Sequence, residues 1–207
     1  MVEEIRKRRQ ELIHVLKGPV FHSYQGTQAP GRPGFYNCPV IGSLPHYFAL
    51  RANRKNTNAA QTGFPEVPRL TPELTQALDL LDELAADPRL CYSMWLEQGD
   101  PQLLNNYVVL HSRTEFEDFE DEANRRHLLR LWLSVPDSAP LPPEWEYYFA
   151  DVRPGSVRGG VRGSYITDAF LRFEKRQAER MNILLRPDLD GTTPASTTAT
   201  EEAHVVA

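Results

Sequence analysis

Apolar residues recur along this chain at two spacings, and the changes between them divide it into elements. Over residues 3–16, Ile5, Leu12, Ile13 and Leu16 form a thin stripe at helical spacing, and Gly18-Pro19 ends the run. Residues 71–86 predict a clearer helix. Thr71 is a good N-cap, Pro72 takes the first helical position and Glu73 suits the positive helix end. Leu74, Ala77, Leu78, Leu81, Leu84 and Ala85 then recur until Asp87-Pro88 stops the helix, which is expected to pack on a sheet. A third helical run over 168–185 carries Phe170, Leu171, Met181, Leu184 and Leu185, with Arg and Lys between them.

Between the first two helices the chain is rich in Gly, Pro, aromatic residues and Asn. Short strands are expected at 21–24, 35–41 and 47–51, with turns at Ala29-Pro30-Gly31 and Arg32-Pro33-Gly34. After residue 91, strand-like runs at 92–96, 103–110 and 126–134 are separated by the turn Gln98-Gly99-Asp100 and by an acidic, solvated loop at 115–122. Residues 145–149 suit a further short strand or turn. Gly159-Gly160-Val161-Arg162-Gly163 suits a flexible loop, and the Thr/Ala/Glu-rich end from about residue 190 has no periodicity and is expected to be disordered.

Composition narrows the class. The 207 residues are 41% hydrophobic and 25% charged, as in a soluble globular protein of one domain plus appendages. A net charge of −5 gives no global basic footprint for nucleic acid or for an anionic membrane surface. Two Cys residues, Cys38 and Cys91, are too few for a disulfide framework or a thiolate zinc site, which suits a reducing compartment. The charged stretch after Met1 is unlike a signal peptide, and no apolar run reaches the ~20 residues of a membrane helix. The expected setting is cytoplasmic, and the expected partner is a small-molecule substrate.

Strand alternation over 126–134 puts Arg126, Leu128, Arg130, Trp132 and Ser134 on one face, with His127, Leu129, Leu131 and Leu133 on the other. Two guanidiniums on one face fit either an exposed sheet surface or a site that receives anions. By the same alternation His111 shares a face with Asn105, Tyr107 and Val109 at the end of its strand. There it suits a metal ligand, an acid/base or a structural His. His14, His22, His46 and His204 are scattered, and none belongs to a His-x-Asp, His-x-Glu or His-x-x-x-His motif.

The order of these motifs has a family likeness. Gln98-Gly99-Asp100, the run from Leu104 through His111 to Phe116, and Arg125 to Leu133 together resemble the taurine catabolism dioxygenase (TauD/TfdA) family. Val67-Pro68-Arg69-Leu70-Thr71 and the helix after it extend the resemblance over about residues 1–150. It implies an Fe(II)- and 2-oxoglutarate-dependent dioxygenase, mostly β with flanking helices, on a double-stranded β-helix (jelly roll). Residue by residue, it implies His111 as the distal iron ligand and Arg126 as the grip on the remote carboxylate of 2-oxoglutarate. It further implies Arg130 as a contact for an acidic group of the substrate. Such iron sites use two His and one carboxylate on one face, and a planar Arg fork suits a carboxylate.

The family's His-x-Asp pair has no counterpart here, which implies a jelly roll incomplete on its N-terminal side. The expected organisation is a dioxygenase-like domain at 1–150, a loop and helical extension at 151–189, and a disordered tail at 190–207. The alternative function is a non-catalytic binding or interaction module that lacks two iron ligands.

Overall fold

The computed structural model of this protein describes residues 1–28, 31–158 and 167–185. The first helical run forms as two helices, α1 (Val2–Arg9) and α2 (Glu11–Leu16), joined through Gln10, whose backbone stays right-handed helical at φ −54° and ψ −35°. Ile5, Leu12 and Leu16 of the predicted stripe are buried. Further along, α3 (Arg54–Gly63) precedes α4 (Pro72–Ala86), the most regular element. The Thr71 hydroxyl accepts a hydrogen bond from the Leu74 amide at 3.1 Å, the N-cap that the sequence predicts. Leu74, Ala77, Leu78, Leu81 and Leu84 all point inward. They pack chiefly on α1 and α2, with Val20, Val40, Ile41 and Leu50 completing the cluster.

Two antiparallel hairpins supply the strands. β1 (Phe21–Ser23) pairs with β2 (Phe35–Asn37), placing His22 opposite Tyr36. β3 (Ile41–Leu44) pairs with β4 (Tyr47–Leu50), placing Ile41 opposite Leu50. A second core of Tyr36, Cys38, Ala49, Leu141, Trp145 and Phe149 joins these hairpins to α5 (Glu146–Phe149). Residues 145–149, expected as strand or turn, are helical instead. Pro143 opens a single 3-10 turn at Pro143–Trp145, and α5 continues from it until Ala150 turns to φ 66°. Trp145 is fully buried, and its indole N–H donates to the Pro39 carbonyl at 3.0 Å.

The sequence gives no large-residue periodicity for α3. Only Thr57 and Ala60 of this helix are buried, and Asn53 caps it by accepting from the Asn56 amide at 3.0 Å. α6 (Asp168–Met181) is capped by Thr167 and ends at Asn182 in the left-handed region, four residues earlier than the apolar pattern implies. The glycine-rich loop at 159–163 and the tail from 190 lie outside the described residues.

The mostly-β expectation is corrected: among the described residues the sheets are two two-stranded hairpins, helices predominate, and no barrel closes. None of the runs 92–96, 103–110 and 126–134 is a strand. Strand preference reflects a fit to a pleated, half-buried surface with a paired neighbour; 92–96 and 126–134 have neither, and 103–110 takes a single bond from β4, the Leu50 amide to the Tyr107 carbonyl, without a ladder. Trp95, Leu129 and Leu131 are 93%, 88% and 83% exposed. Over 105–109 the backbone coils locally, the amides of Val108 and Val109 both donating to the Asn105 carbonyl. The acidic loop is exposed, as expected, and ends in a one-turn 3-10 helix at Glu122–Asn124 capped by Asp121.

Gly42 sits where β3 passes closest to the 141–145 segment. A Cβ there would lie 2.2 Å from Pro142 Cγ and 3.2 Å from Trp145 Cε2. Gly42→Ala is expected to destabilise the fold by about 1–3 kcal/mol through overpacking, read as a lowered midpoint in urea unfolding.

Candidate functional site

His111, Arg126 and Arg130 all lie in the exposed stretch between α4 and the 141–145 segment. Phe116 is the centre that gathers the arginines near them. The guanidinium carbon of Arg113 lies 4.2 Å from its ring centroid, and that of Arg126 lies 5.2 Å away. The Arg126 backbone N–H donates to Asp118 Oδ1 at 3.2 Å. These contacts bring Arg126 back against the segment that follows His111. Arg130, four residues on, remains solvent-exposed. Among the described residues no three or more His, Cys, Asp or Glu side chains are grouped so as to hold a metal ion. His111 therefore supplies one donor where an iron site of this type needs three.

A different polar centre, which no sequence motif marks, is built into the second core. His22 is fully buried. Its Nε2 donates to the Cys38 carbonyl at 3.0 Å, since a carbonyl only accepts, which leaves Nδ1 to accept from the Thr57 hydroxyl at 3.1 Å. The same hydroxyl lies 3.2 Å from the Asn53 carbonyl. Burial first, and the nearby Arg51 charge second, push the His22 pKa down to about 3, so the ring is neutral across the physiological range. Burial also raises the Cys38 thiol to about 11, keeping it protonated.

Arg51 directly follows β4 and turns back into this centre. Its guanidinium carbon stands 4.1 Å from the Tyr148 ring centroid and 5.2 Å from that of Tyr36. Nη2 donates to the Tyr36 hydroxyl, whereas Nη1 is closed off from solvent and has no hydrogen-bond partner. Taking a guanidinium out of water costs several kcal/mol, and each ring face returns only about 0.5–2. One neutral hydrogen bond adds about 1 kcal/mol, so the charge is left incompletely compensated. The signal was present in the sequence only as aromatic residues in strands, because Tyr148 lies 97 positions from Arg51 and only the fold joins them.

His22 carries a pH signature. Its folded pKa lies below the unfolded value of ~6.5, so its contribution to stability is present above pH ~6.5 and is lost as pH falls toward 3. Asp87, held at about 2 by hydrogen bonds from Arg89, acts only at lower pH, below the ~3.9 of a free carboxyl. Thermal melts between pH 6.5 and 4.5 should show a fall of on the order of a few kcal/mol, largely removed in His22→Gln. Equal slopes for the two proteins would show that His22 is not the source.

The comparisons with known proteins bear on the exposed stretch. The family model described as taurine catabolism dioxygenase TauD, TfdA family matches residues 1–132, a span that includes His111, Arg126 and Arg130. FR-33289 synthase of Streptomyces rubellomurinus is 36% identical over 140 residues, covering 64% of this chain and 39% of that protein. The taurine hydroxylase-like protein SAT17 of Stachybotrys chartarum is 38% identical over 72 residues, 33% of this chain and 18% of that protein. The chain thus spans less than half the length of either relative. With well over half of its residues inside the family match, the chain belongs to the taurine catabolism dioxygenase TauD, TfdA family.

Proposed function

We propose that this chain is part of an Fe(II)- and 2-oxoglutarate-dependent dioxygenase that oxidises a small organic substrate. In this reading His111 is one iron ligand, Arg126 grips the remote carboxylate of 2-oxoglutarate, and Arg130 meets an acidic group of the substrate. The observation that carries it is the family match over residues 1–132, which takes in all three side chains. The likeness to FR-33289 synthase supports an oxygenase-type enzyme. Arg126 suits its role because a guanidinium offers two parallel N–H donors to a carboxylate, which an ammonium cannot. The partner is a small molecule, and no helix among the described residues is long and apolar enough to cross a membrane.

Among the described residues the donors present do not make an iron site. A lone His111 binds Fe(II) poorly, so two further donors, a His and a carboxylate, have to come from polypeptide other than the described residues. Bound iron would supply the oxidising chemistry, and the work of this chain's residues is to bind and orient. One observation favours a second reading, a non-catalytic module: among the described residues, His111 has no companion ligands.

Anaerobic addition of Fe(II) and 2-oxoglutarate separates the two. Residues 1–207 alone should give no visible charge-transfer band, whereas a polypeptide that also carries a His-x-Asp pair in register should. A band from the isolated chain would overturn the incomplete-site account. Absence of a band from the completed protein would favour the module. In the completed enzyme, His111→Ala should abolish 2-oxoglutarate turnover to succinate. Arg126→Lys should raise the concentration of 2-oxoglutarate required by roughly tenfold or more. An unchanged requirement in that variant would remove Arg126 from its role.

A further inference from the structure

Arg51 and the tyrosines around it take no part in the reading above, and their arrangement is that of a site. The Tyr148 ring stacks on the Tyr36 ring at 4.4 Å, and Tyr24 packs on Tyr36 at 4.4 Å. Arg32 stands over the Tyr147 ring at 5.6 Å. Two guanidiniums and four phenols therefore converge, yet the groups that act on Arg51 are phenols and a thiol, with no carboxylate among them. Glu144 contributes only at longer range, through its field at Cys38. His22, stacked on Tyr36 at 5.3 Å, is neutral and offers no counter-charge, and the Cys38 thiol stays protonated. Nη1 of the guanidinium is closed off from solvent and has no hydrogen-bond partner, and the Cys38 thiol beside Arg51 is a neutral neighbour rather than a counter-charge.

We propose that Arg51 anchors an oxyanion-binding site, in which the free Nη1 edge of its guanidinium takes one carboxylate- or phosphate-type group of a small molecule. A planar guanidinium with an unused donor edge is the group best matched to such an anion. The Tyr148 ring is the movable wall of the site. It is half-buried, follows the exposed Tyr147 and faces the Arg51 guanidinium at 4.1 Å, so its displacement would uncover that group. Tyr36, by contrast, is held in β2 and stays as the floor. The proposal is independent of the dioxygenase reading, because Arg51 lies outside the residues given iron or 2-oxoglutarate roles.

The test is a titration of the full 15N-labelled chain with inorganic phosphate, and separately with acetate, at constant ionic strength, following the arginine Nε–H resonances. A saturable shift of the Arg51 resonance is expected. Its affinity should fall by about tenfold or more in Arg51→Gln. Should Arg51→Gln lose its near-UV circular dichroism, Arg51→Lys serves instead, since it keeps the charge and removes the fork. Tighter binding of phosphate points to a dianionic group and tighter binding of acetate to a carboxylate, and either supports the site. A linear, non-saturating shift, or an affinity unchanged in the folded variant, would mean an adventitious ion only and would overturn the proposal.

Discussion

An indole N–H buried away from water has to find an acceptor, and in this protein Trp145 finds it 106 positions back along the chain, at the Pro39 carbonyl. That single demand organises the second core. The bond holds the 141–149 segment against the corner between β2 and β3, and Gly42 lets Pro142 and the indole close in without a side chain between them. Leu141 and Phe149 then pack on Tyr36, Cys38 and Ala49, and α5 is carried into position over Arg51. The α1–α2–α4 cluster forms beside it from ordinary helical stripes, and Ile41 and Leu50 pass from the second hairpin into that cluster.

What could be read in advance followed from how local each cause is. α4 was legible because a cap, a first-turn proline and a leucine stripe all lie within sixteen residues. α3 was not, because its inward face is made of Thr57 and Ala60, too small to mark a period. The strands expected at 103–110 and 126–134 have the right alternation, but alternation states only which residues would share a face. Whether a strand forms depends on a neighbour that completes a ladder of backbone hydrogen bonds, and among the described residues these runs join no sheet, the Leu50 amide to the Tyr107 carbonyl being an isolated bond. His111, Arg126 and Arg130 were legible as residues in a family pattern, while their mutual placement was not, since exposed chain does not fix side-chain geometry. The Arg51 centre escaped notice because its members come from β1, β2, α3, α5 and the end of β4.

The two centres also differ in how their chemistry is held. Around Phe116 the arginines rest on a single exposed ring and a backbone contact, an arrangement that water and salt weaken. Around Tyr36 the groups are buried or half-buried against the second core, so charge and hydrogen bonding there are set largely by the core itself. A family resemblance pointed to the first, and the fold alone exposed the second.

The open stretch between α4 and residue 141 has a consequence for the integrity of the polypeptide. Its backbone is accessible to a protease active site over some four dozen residues, whereas the elements on either side of it are packed together. A single nick there would not release two independent pieces. The C-terminal fragment would stay bound to the N-terminal one through the buried indole and its neighbours, so the cut chain would migrate as one particle in its native form and as two bands once denatured.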